Sequence, residues 1–245
     1  MNEIHELLRA HRSIRKFVDE PLADETLNDI VRSGLAAATS SNLQATTVIR
    51  VRNADSRSKI AAVAGGQQQI ETAGAFTVWC ADLARTKKAC EMAGGSMSSG
   101  MTEQFIIATV DVALAAQNAV VAAEAQGLGI CYIGAIRNDP QTVADVLELP
   151  DHVYPVFGLC IGEPDQDPEV KPRLPLDVVL KDDVYRDEND TELINQYDET
   201  LREYYRTRSG GTKDSSWTEE MAGLVGGERR PHMKEFLAKR GFEMR

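Results

Sequence analysis

The segment TEQFIIATVDVALAAQNAVVAAEAQGLGICYIGAIRN, residues 102–138, is the most informative stretch of the chain for its fold. Its first part, 102–126, has the length and apolar content of a long helix, and Gly127 is a natural position for that helix to end. Polar residues interrupt the apolar run too often for a membrane span, at Asp111, Gln117, Asn118 and Glu124. The segment therefore predicts a central buried helix that is followed by a strand over 130–134.

Helix-like and strand-like segments alternate on both sides of this stretch. Apolar residues at helical spacing predict a helix over 24–37, with Asp24 as its N-cap. Further helices are expected over 56–64, 140–148 and 232–240 and in an acidic stretch that ends near Tyr205, and further strands over 46–52, 75–81 and 154–162. The strands over 130–134 and 154–162 are continuous apolar runs, which is typical of a sheet covered on both faces.

The composition of the chain changes after residue 163, where proline begins to recur. We expect a single domain over 1–245, made of an α+β core over 1–165 and a C-terminal extension over 166–245 that wraps around or swaps with a partner. Within the extension, the segment RTRSGGTKDSS (206–216) has the composition of a mobile loop.

The charge balance excludes two classes of partner. The chain has 38 acidic and 27 basic residues and a net charge of −11 at pH 7, so it repels nucleic acid and anionic membranes. The N-terminus lacks an apolar core of signal-peptide length, which favours a cytoplasmic protein. Cys80, Cys131 and Cys160 lie in apolar runs and are expected to be buried thiols, and no cysteine or histidine spacing suggests a metal site.

The basic residues of this acidic chain are clustered. The clusters are Arg9, Arg12, Arg15 and Lys16, with Ser13 among them; Lys171 and Arg173; Arg202, Arg206, Arg208 and Lys213; and Arg229, Arg230 and Lys234. Arginine forks with a hydroxyl group are what a phosphate monoester binds, and Arg12 and Arg15 would share a face if their segment were helical. The alternative for each cluster is a set of solvated charges that pair with nearby acids.

Small polar segments at the ends of predicted elements offer hydroxyl and amide groups to a ligand. They are Thr39–Gln44 and the glycine–glutamine run 65–69. The glycines of GLGICYIGAIRN (127–138) precede a strand, whereas a dinucleotide fingerprint follows one. No nucleophile or acid–base motif stands out, so an enzyme with this sequence would leave the chemistry to a cofactor.

Taken in order, these motifs resemble those of the flavin-dependent nitroreductase superfamily, and most closely its oxygen-insensitive NADPH nitroreductase and NADPH–flavin oxidoreductase branch. The matching segments are HRSIRKFVDEPL (11–22), TSSNLQATTVIR (39–50), AGGQQQ (64–69), AAQNAVVAAEAQGLG (115–129), YIGAIRN (132–138), FGLCIGEP (157–164), KPRLP (171–175) and QYDETLREYYRTR (196–208), with the tryptophan at 217. The resemblance implies an α+β, nitroreductase-like fold with a central, mainly antiparallel sheet flanked by helices. It also implies an intertwined homodimer with one non-covalent FMN at each interface.

The resemblance also implies the site residues. His11, Arg12, Ser13, Arg15, Lys171 and Arg173 would contact the FMN phosphate and ring, Thr39, Ser40 and Gln67 would hold the polar edges of the flavin, and Tyr132, Ile133, Gly134 and Ala135 would line the isoalloxazine. Arg208 would bind the 2′-phosphate of NADPH, with Lys213, Arg230 and Ser41 as further nucleotide contacts. No catalytic side chain and no metal are implied.

The sequence departs from the family pattern at three places. Ala135 stands where the family usually has a second glycine, which requires a negative φ or some strain. Gln69 stands where the family often has an aromatic residue or a histidine. The loop GGTKDSS is less basic than is usual in this branch, so NADPH is expected to be less strongly preferred over NADH.

The activity implied is NADPH-dependent reduction of a nitroaromatic compound, a quinone or free flavin, in a ping-pong scheme through N5 of FMN. Two alternatives remain open at the level of sequence. One is a flavin reductase that supplies reduced FMN to a partner protein, and the other is a flavin-binding redox sensor without turnover.

Overall fold

The computed structural model describes residues 2–245. The helices are α1 (Glu3–Arg9), α2 (Asp24–Leu35), α3 (Ala54–Val63), α4 (Gln69–Thr72), α5 (Ala84–Met92), α6 (Thr102–Glu124), α7 (Pro140–Val146), α8 (Leu176–Val179), α9 (Asp190–Thr207), α10 (Trp217–Val225) and α11 (Met233–Lys239). The strands are β1 (Thr46–Arg50), β2 (Ala75–Asp82), β3 (Gly129–Ile133) and β4 (Val153–Gly162). Short 3₁₀ helices span Ser40–Asn42 and Gly134–Asn138.

The chain forms two compact units. The first contains the residues up to Gln166 together with Arg230–Arg245, and the second contains Asp167–Arg229. The last residues of the chain join the first unit because Phe236, Leu237 and Phe242 are buried in its core. The start of the second unit lies next to the predicted start of the extension at residue 166.

The sheet of the first unit has the strand order β1-β2-β4-β3, and every neighbouring pair is antiparallel. All residues of β2 are buried, as are all but one of β4, and Phe76 and Trp79 of β2 have no exposed surface. Apolar side chains on both faces of a strand require a layer on each side of the sheet. These features confirm the predicted α+β class, the antiparallel sheet and its coverage on both faces.

Helix α6 is the central helix that its sequence predicts, and it packs against α2 and against β1, β2 and β3. The close approach of α2 depends on Gly34, where a Cβ atom would lie 2.8 Å from the carbonyl oxygen of Ala115. Length and composition alone would also suit this helix to a membrane span, and 39% of its most apolar window is buried inside the protein. The chain turns after the helix at Gly127, whose φ is +78°.

Several local features differ from expectation. Asp24 is not the N-cap of α2 but its first helical residue, and its carboxylate instead accepts hydrogen bonds from Arg50 and Arg52, both at 2.6 Å. The segment 11–16 is extended rather than helical, because Ser13 forms a parallel bridge with Ile130. The helices α1, α4, α5, α8 and α10 have no counterpart among the predicted elements.

The second unit is built on α9. Tyr197, Leu201 and Tyr205 form its small core, against which Trp217 of α10 packs. Helix α10 begins with a capping box in which the Ser216 and Glu219 side chains each accept from the backbone N–H of the other residue. A polar contact fixes the two helices together, because a carboxylate of α9, Asp198, accepts from both the N–H and the hydroxyl of Thr218.

Candidate functional site

The N-terminal segment that contains the first basic cluster runs beside β3. The N–H of Ile14 donates to the carbonyl of Ile130 at 2.8 Å, next to the bridge formed by Ser13. Ile14 is buried, whereas the residues on either side of it, Ser13 and Arg15, are partly or fully exposed. The fold therefore brings His11, Arg12, Ser13 and Arg15 to the strand that ends in the predicted ring-lining residues.

Gly129 makes this approach possible. A Cβ atom at this position would lie 2.7–2.9 Å from three side-chain atoms of Ile14, closer than real Cβ contacts. The absence of a side chain at the first residue of β3 thus lets the basic segment pack directly onto the strand.

Replacing Gly129 by alanine is expected to displace Ile14 and to lower the free energy of unfolding by about 1–3 kcal/mol, the usual cost of overpacking. Since the phosphate-binding candidates flank Ile14, FMN affinity is expected to fall as well. Urea denaturation and fluorimetric FMN titration measure the two effects. Gly227→Ala is the matched control because nothing lies within 4 Å of a Cβ atom there. Equal stability of the two variants would contradict this account.

A carboxylate from α6 holds the first of these residues in place. The Nδ1 atom of His11 lies 2.6 Å from Oε1 of Glu124, and the two side chains are only 27% and 12% exposed. A carboxylate on one ring nitrogen fixes the orientation of the imidazole and directs the other nitrogen elsewhere. Glu124 therefore orients His11 from a position 113 residues away in sequence.

The end of β3 presents Tyr132 to the same helix. Its hydroxyl lies 3.5 Å from Oε1 of Gln117, and its ring packs edge-on against Phe157 with 4.9 Å between centroids. Burial raises the pKa of the Tyr132 hydroxyl far above its ordinary value, and the nearby Glu124 carboxylate adds to the rise. Tyr132 is thus a neutral hydrogen-bonding group at any physiological pH.

The turn after β3 is the 3₁₀ helix Gly134–Asn138. Ala135 has a negative φ, so the alanine that replaces the family glycine is accommodated without left-handed strain. Asn138 at the end of this turn accepts from Nε of Arg230 at 3.0 Å. The structure therefore places Arg230 next to the ring-lining segment of the first unit.

A buried acid of α6 organises the loop that contains Thr39, Ser40 and Ser41. The two carboxylate oxygens of Asp111, which is 1% exposed, accept from the N–H groups of Ser40 at 3.1 Å and Ala45 at 3.0 Å. Between these anchors three residues have positive φ, namely Ser41 (48°), Asn42 (59°) and Gln44 (54°). Non-glycine residues adopt this conformation only where their surroundings hold it, and Asp111 supplies that support.

The glutamine run is fixed by its own side chains. Gln69 is buried and donates from Nε2 to Oε1 of Gln67 at 2.7 Å, while Nε2 of Gln67 donates to the carbonyl of Ala64 at 3.1 Å. Gln69 also contacts the thiol of Cys131. The residue that departs from the family pattern therefore orients Gln67, one of the predicted flavin contacts.

The cysteines behave as expected. Cys80, Cys131 and Cys160 are buried, and burial raises the pKa of each thiol. Cys131 and Cys160 face each other across β3 and β4 as free thiols. Among the described residues there is no group of three or more potential metal ligands.

Lys171 and Arg173 lie in the second unit. Their extended segment is attached to α9 because the hydroxyl of Tyr197 donates to the carbonyl of Pro172 at 2.9 Å. Arg173 donates to the Lys171 carbonyl at 2.6 Å, and Nζ of Lys171 lies 4.0 Å from Oε2 of Glu220.

Arg208 and Lys213 flank Tyr205 in the same unit. Nε of Arg208 donates to the carbonyl of Gly211 at 2.7 Å, and the N–H of Lys213 donates to the carbonyl of Tyr205 at 3.1 Å. Ser209 is held by Glu169, whose carboxylate accepts from its N–H at 2.9 Å and from its hydroxyl at 3.0 Å. The segment predicted as a mobile loop is therefore bonded at several points.

A cavity of about 330 Å³ in the first unit is lined by the segments 19–24 and 71–75 and by three arginines. Arg50 and Arg52 pair with Asp24, and Arg57 donates to the backbone carbonyls of Val51, Glu71 and Ala73. These cations have internal partners, and none of the predicted cofactor contacts lines this cavity, so the residues around β3 remain the stronger candidate site.

Sequence reasoning missed Asp111, Gln117, Glu124 and Glu220 as site-forming residues. Three of them interrupt the apolar pattern of α6, and Gln117 and Glu124 are seven residues apart, which places them on one face of the helix. Asp111 is buried and Glu124 is partly buried, and polar residues in such positions need partners, which is the signal that marks these two.

Comparison with known proteins gives one consistent family. The family model described as "Nitroreductase family" matches residues 8–163, and the one described as "Nitroreductase family, C-terminal domain" matches residues 171–245. The oxygen-insensitive NADPH nitroreductase of Salmonella typhimurium is 40% identical over 245 residues, covering 100% of both chains.

Two solved structures share the whole fold. The NADPH:FMN oxidoreductase of Vibrio harveyi, complexed with NAD⁺, has 39% identity and a TM-score of 0.91, with 100% of both chains covered. NfrA1 of B. megaterium has 43% identity and a TM-score of 0.95, with 99% of this chain and 100% of that one covered. Matches to both family models and full-length relatives at this identity leave one assignment: the chain belongs to the nitroreductase family.

Proposed function

We propose that this protein is an FMN-dependent oxidoreductase that uses NADPH to reduce nitroaromatic compounds, quinones or free flavin. The observation that carries the proposal is the bridge between Ser13 and Ile130, because it aligns the basic segment 11–15 with the strand that ends at Ile133 and leads into Gly134 and Ala135. The cations and the hydroxyl group that could bind a phosphate therefore lie beside the same strand as a polar, partly buried surface that could bind a ring. The names of the relatives, which include NADPH and FMN, agree with this assignment.

The donor set fits FMN. Arg12, Ser13 and Arg173 would hold the phosphate, while Gln67, Thr39 and Ser40 would meet the polar edge of the flavin. Tyr132, Ile133, Gly134 and Ala135 would line the ring. When bound, FMN supplies reversible two-electron transfer between the nicotinamide and the acceptor.

The side chains of this protein contribute positioning and electrostatics. Asp111 holds the loop 39–45 in the shape that presents Thr39 and Ser40, Glu124 orients His11, and Gln69 orients Gln67. Preorganised donors near the pyrimidine edge stabilise negative charge that develops there, at no reorganisation cost during the reaction. Arg15 and Lys171 are the cations that we assign to this edge. No side-chain acid is required, since solvent can provide protons.

The nucleotide would be recognised mainly through its 2′-phosphate. We assign Arg208 to this phosphate, with Lys213, Arg230 and Ser41 as additional contacts. The alternatives, a reductase dedicated to a partner protein and a sensor without turnover, have no structural observation of their own in their favour.

An absorption spectrum tests the proposal directly. The purified protein is expected to show a flavin spectrum that NADPH bleaches under anaerobic conditions and that a quinone or nitrofurazone restores. Protein that neither contains nor binds FMN would overturn the proposal. Bleaching without turnover would indicate the redox sensor, and turnover confined to free FMN would indicate the flavin-supplying reductase.

We further propose that the protein is a homodimer. Helix α6, which is apolar on its core side, also exposes Ile106, Val110 and Leu114, at 48%, 48% and 45%. These residues are four apart and form one apolar stripe on the outside of the first unit. The second unit exposes its own apolar segment, with Leu176, Val179, Leu180, Val184 and Tyr185 all more than half exposed. In the proposed dimer a second copy of the chain, whose extension would wrap around its partner, would cover both of these apolar surfaces.

A charge in the α6 stripe is expected to break this dimer. For Val110→Glu, light scattering should give the chain mass of 26.9 kDa instead of twice that value, and FMN should be lost if the interface completes its site. Met92→Glu, at an apolar position of α5 that is 80% exposed and lies outside both apolar segments, is the matched control and should leave the mass unchanged. A monomeric unsubstituted protein would refute the dimer.

We also propose a cytoplasmic location. Cys131 and Cys160 face each other as free thiols, a state that a reducing compartment maintains.

A further inference from the structure

Three cations that are distant in sequence surround the ring of Tyr205 in the second unit. Nζ of Lys213 lies 4.1 Å from the ring centroid, Cζ of Arg208 lies 4.9 Å from it, and Nζ of Lys171 lies 5.1 Å from it. All three distances are within the range of a cation–π interaction. Tyr205 is only 2% exposed and belongs to the core of its unit, so it is a rigid support for these side chains.

One carboxylate is inserted among these cations. Glu220 of α10 accepts from the Tyr205 hydroxyl at 3.0 Å through Oε2, and its Oε1 binds Nζ of Lys213. The Nζ atom of Lys171 is 4.0 Å from Oε2. Glu220 therefore occupies the kind of position that a phosphate oxygen takes in an anion site, between two ammonium groups and a hydroxyl.

The charge state of this cluster is well defined. The hydrogen bond from Lys213 to Glu220 raises the pKa of the lysine. Partial burial opposes ionisation of Glu220, but the hydrogen bonds from Lys213 and Tyr205 lower the pKa of its carboxyl below the ordinary value. Both groups are thus ionised at neutral pH. The other nearby carboxylate, Glu169, is bound to the N–H and hydroxyl of Ser209.

An anion that enters this cluster must compete with Glu220. The 2′-phosphate of NADPH has the charge and the oxygen atoms to replace the carboxylate on Lys213, whereas NADH has only a neutral hydroxyl group at this position. Release of Glu220 from Lys213 is therefore a cost that applies only when the nucleotide carries the phosphate.

We propose that Glu220 is a specificity-determining positioning residue, which holds Lys213 on the Tyr205 ring as an internal substitute for the nucleotide 2′-phosphate. The proposal rests on the proposed NADPH-dependent function. The role of Glu220 provides a physical reason for the weakened NADPH preference that the loop sequence predicts. The Arg208 guanidinium, which is bonded to Gly211 rather than to Glu220, remains available to the nucleotide in either state.

The test is a nucleotide comparison in the FMN-loaded Glu220→Gln enzyme, in which the side chain keeps its shape but loses its charge. The KM for NADPH is expected to fall by about two- to fivefold, the factor that corresponds to a partly exposed ion pair. The KM for NADH should not change. The inhibition constant of adenosine 2′,5′-bisphosphate should fall by the same factor as the KM for NADPH, and that of 5′-AMP should stay constant.

Asp214→Asn is the matched control. It removes one negative charge from the loop that contains Lys213, but Asp214 pairs with Arg202 and Arg206 and not with the cations around Tyr205. Tyr205→Phe keeps the ring and removes the hydroxyl that holds Glu220, so, like Glu220→Gln, it should lower the KM for NADPH and leave the KM for NADH unchanged. It also replaces Glu220→Gln as the test if that variant does not fold.

The outcomes separate the two levels of the argument. The role of Glu220 would be overturned if the KM values for NADPH and NADH changed equally, if neither changed, or if Asp214→Asn gave the same selective change. None of these results would affect the enzyme assignment. Absence of NADPH oxidation by the unsubstituted, FMN-loaded protein would overturn the proposed function, and this inference with it.

Discussion

Asp111→Ala is expected to cause the largest loss of stability and of FMN binding among single substitutions in the site. Its carboxylate is the acceptor for the N–H groups of Ser40 and Ala45, and Ala45 is itself 1% exposed. A buried donor that loses its acceptor costs about 1–3 kcal/mol, and the partly buried N–H of Ser40 adds a smaller cost to that of Ala45, so the free energy of unfolding should fall by about 2–5 kcal/mol. The loop 39–45 would then lose the support for its three left-handed residues, and Thr39 and Ser40 would no longer be held for the flavin.

Two further variants make this prediction specific. Asp111→Asn keeps one acceptor oxygen but turns an amide group toward the second N–H, so its stability should lie between those of the wild type and the alanine variant. Glu103→Ala removes an exposed acid from the first turn of the same helix and should change stability and FMN affinity little. Urea denaturation followed by circular dichroism gives the unfolding free energies, and flavin fluorescence gives the affinity. If Asp111→Ala matched Glu103→Ala in both, Asp111 would have no organising role.

The features that were predictable from sequence are those that depend on local pattern. Helix α6 and its end before Gly127 follow from a long apolar run and a terminal glycine, and each of the four strands was predicted within two residues of its bounds. Helix α10 was missed, although Ser216 and Glu219 have the spacing of a capping box. Short helices such as α1 gain little from intrinsic propensity and depend on tertiary packing, which the sequence does not display.

The parts of the site that were not predictable depend on pairs of residues far apart in the chain. His11 and Glu124 are separated by 113 residues, and Ser40 and Asp111 by 71. In the sequence Glu124 and Asp111 are only breaks in an apolar run, because their partners are defined by the fold. The family resemblance supplied the residues expected to touch the cofactor, whereas the structure supplied those that hold them.

In the second unit, too, the sequence does not reveal which charged side chains pair with each other. The sequence marks Arg208 and Lys213 as members of a basic cluster, but it does not distinguish Glu220 from the many other acids of a chain with net charge −11. The structure separates the two cations: Lys213 is paired with Glu220, whereas Arg208 stacks on Tyr205 and binds a backbone carbonyl. A side chain whose charge is not matched by a bonded carboxylate is the better phosphate ligand.

Arg208→Ala is therefore expected to raise the KM for NADPH by about ten- to a hundredfold, the effect of losing a charge-assisted hydrogen bond of about 1.5–3 kcal/mol. The KM for NADH should change much less, because NADH lacks the 2′-phosphate. With saturating nucleotide, kcat should be retained, since the guanidinium acts in binding and not in the transfer step. Steady-state kinetics with one acceptor and both nucleotides measures the difference.

Arg206→Ala is the matched control for this substitution. It removes the same side chain two residues earlier, at the end of α9, but Arg206 pairs with Asp214 at 3.3 Å and makes no contact with the Tyr205 ring among the described interactions. If both variants weakened NADPH binding equally, the effect would come from the general positive potential of the loop. If Arg208→Ala weakened the binding of NADPH and of NADH alike, Arg208 would bind a part of the nucleotide that the two share. Only a selective loss in Arg208→Ala assigns the 2′-phosphate to this residue, and the same measurement sets the scale against which the smaller, opposite shift of Glu220→Gln is judged.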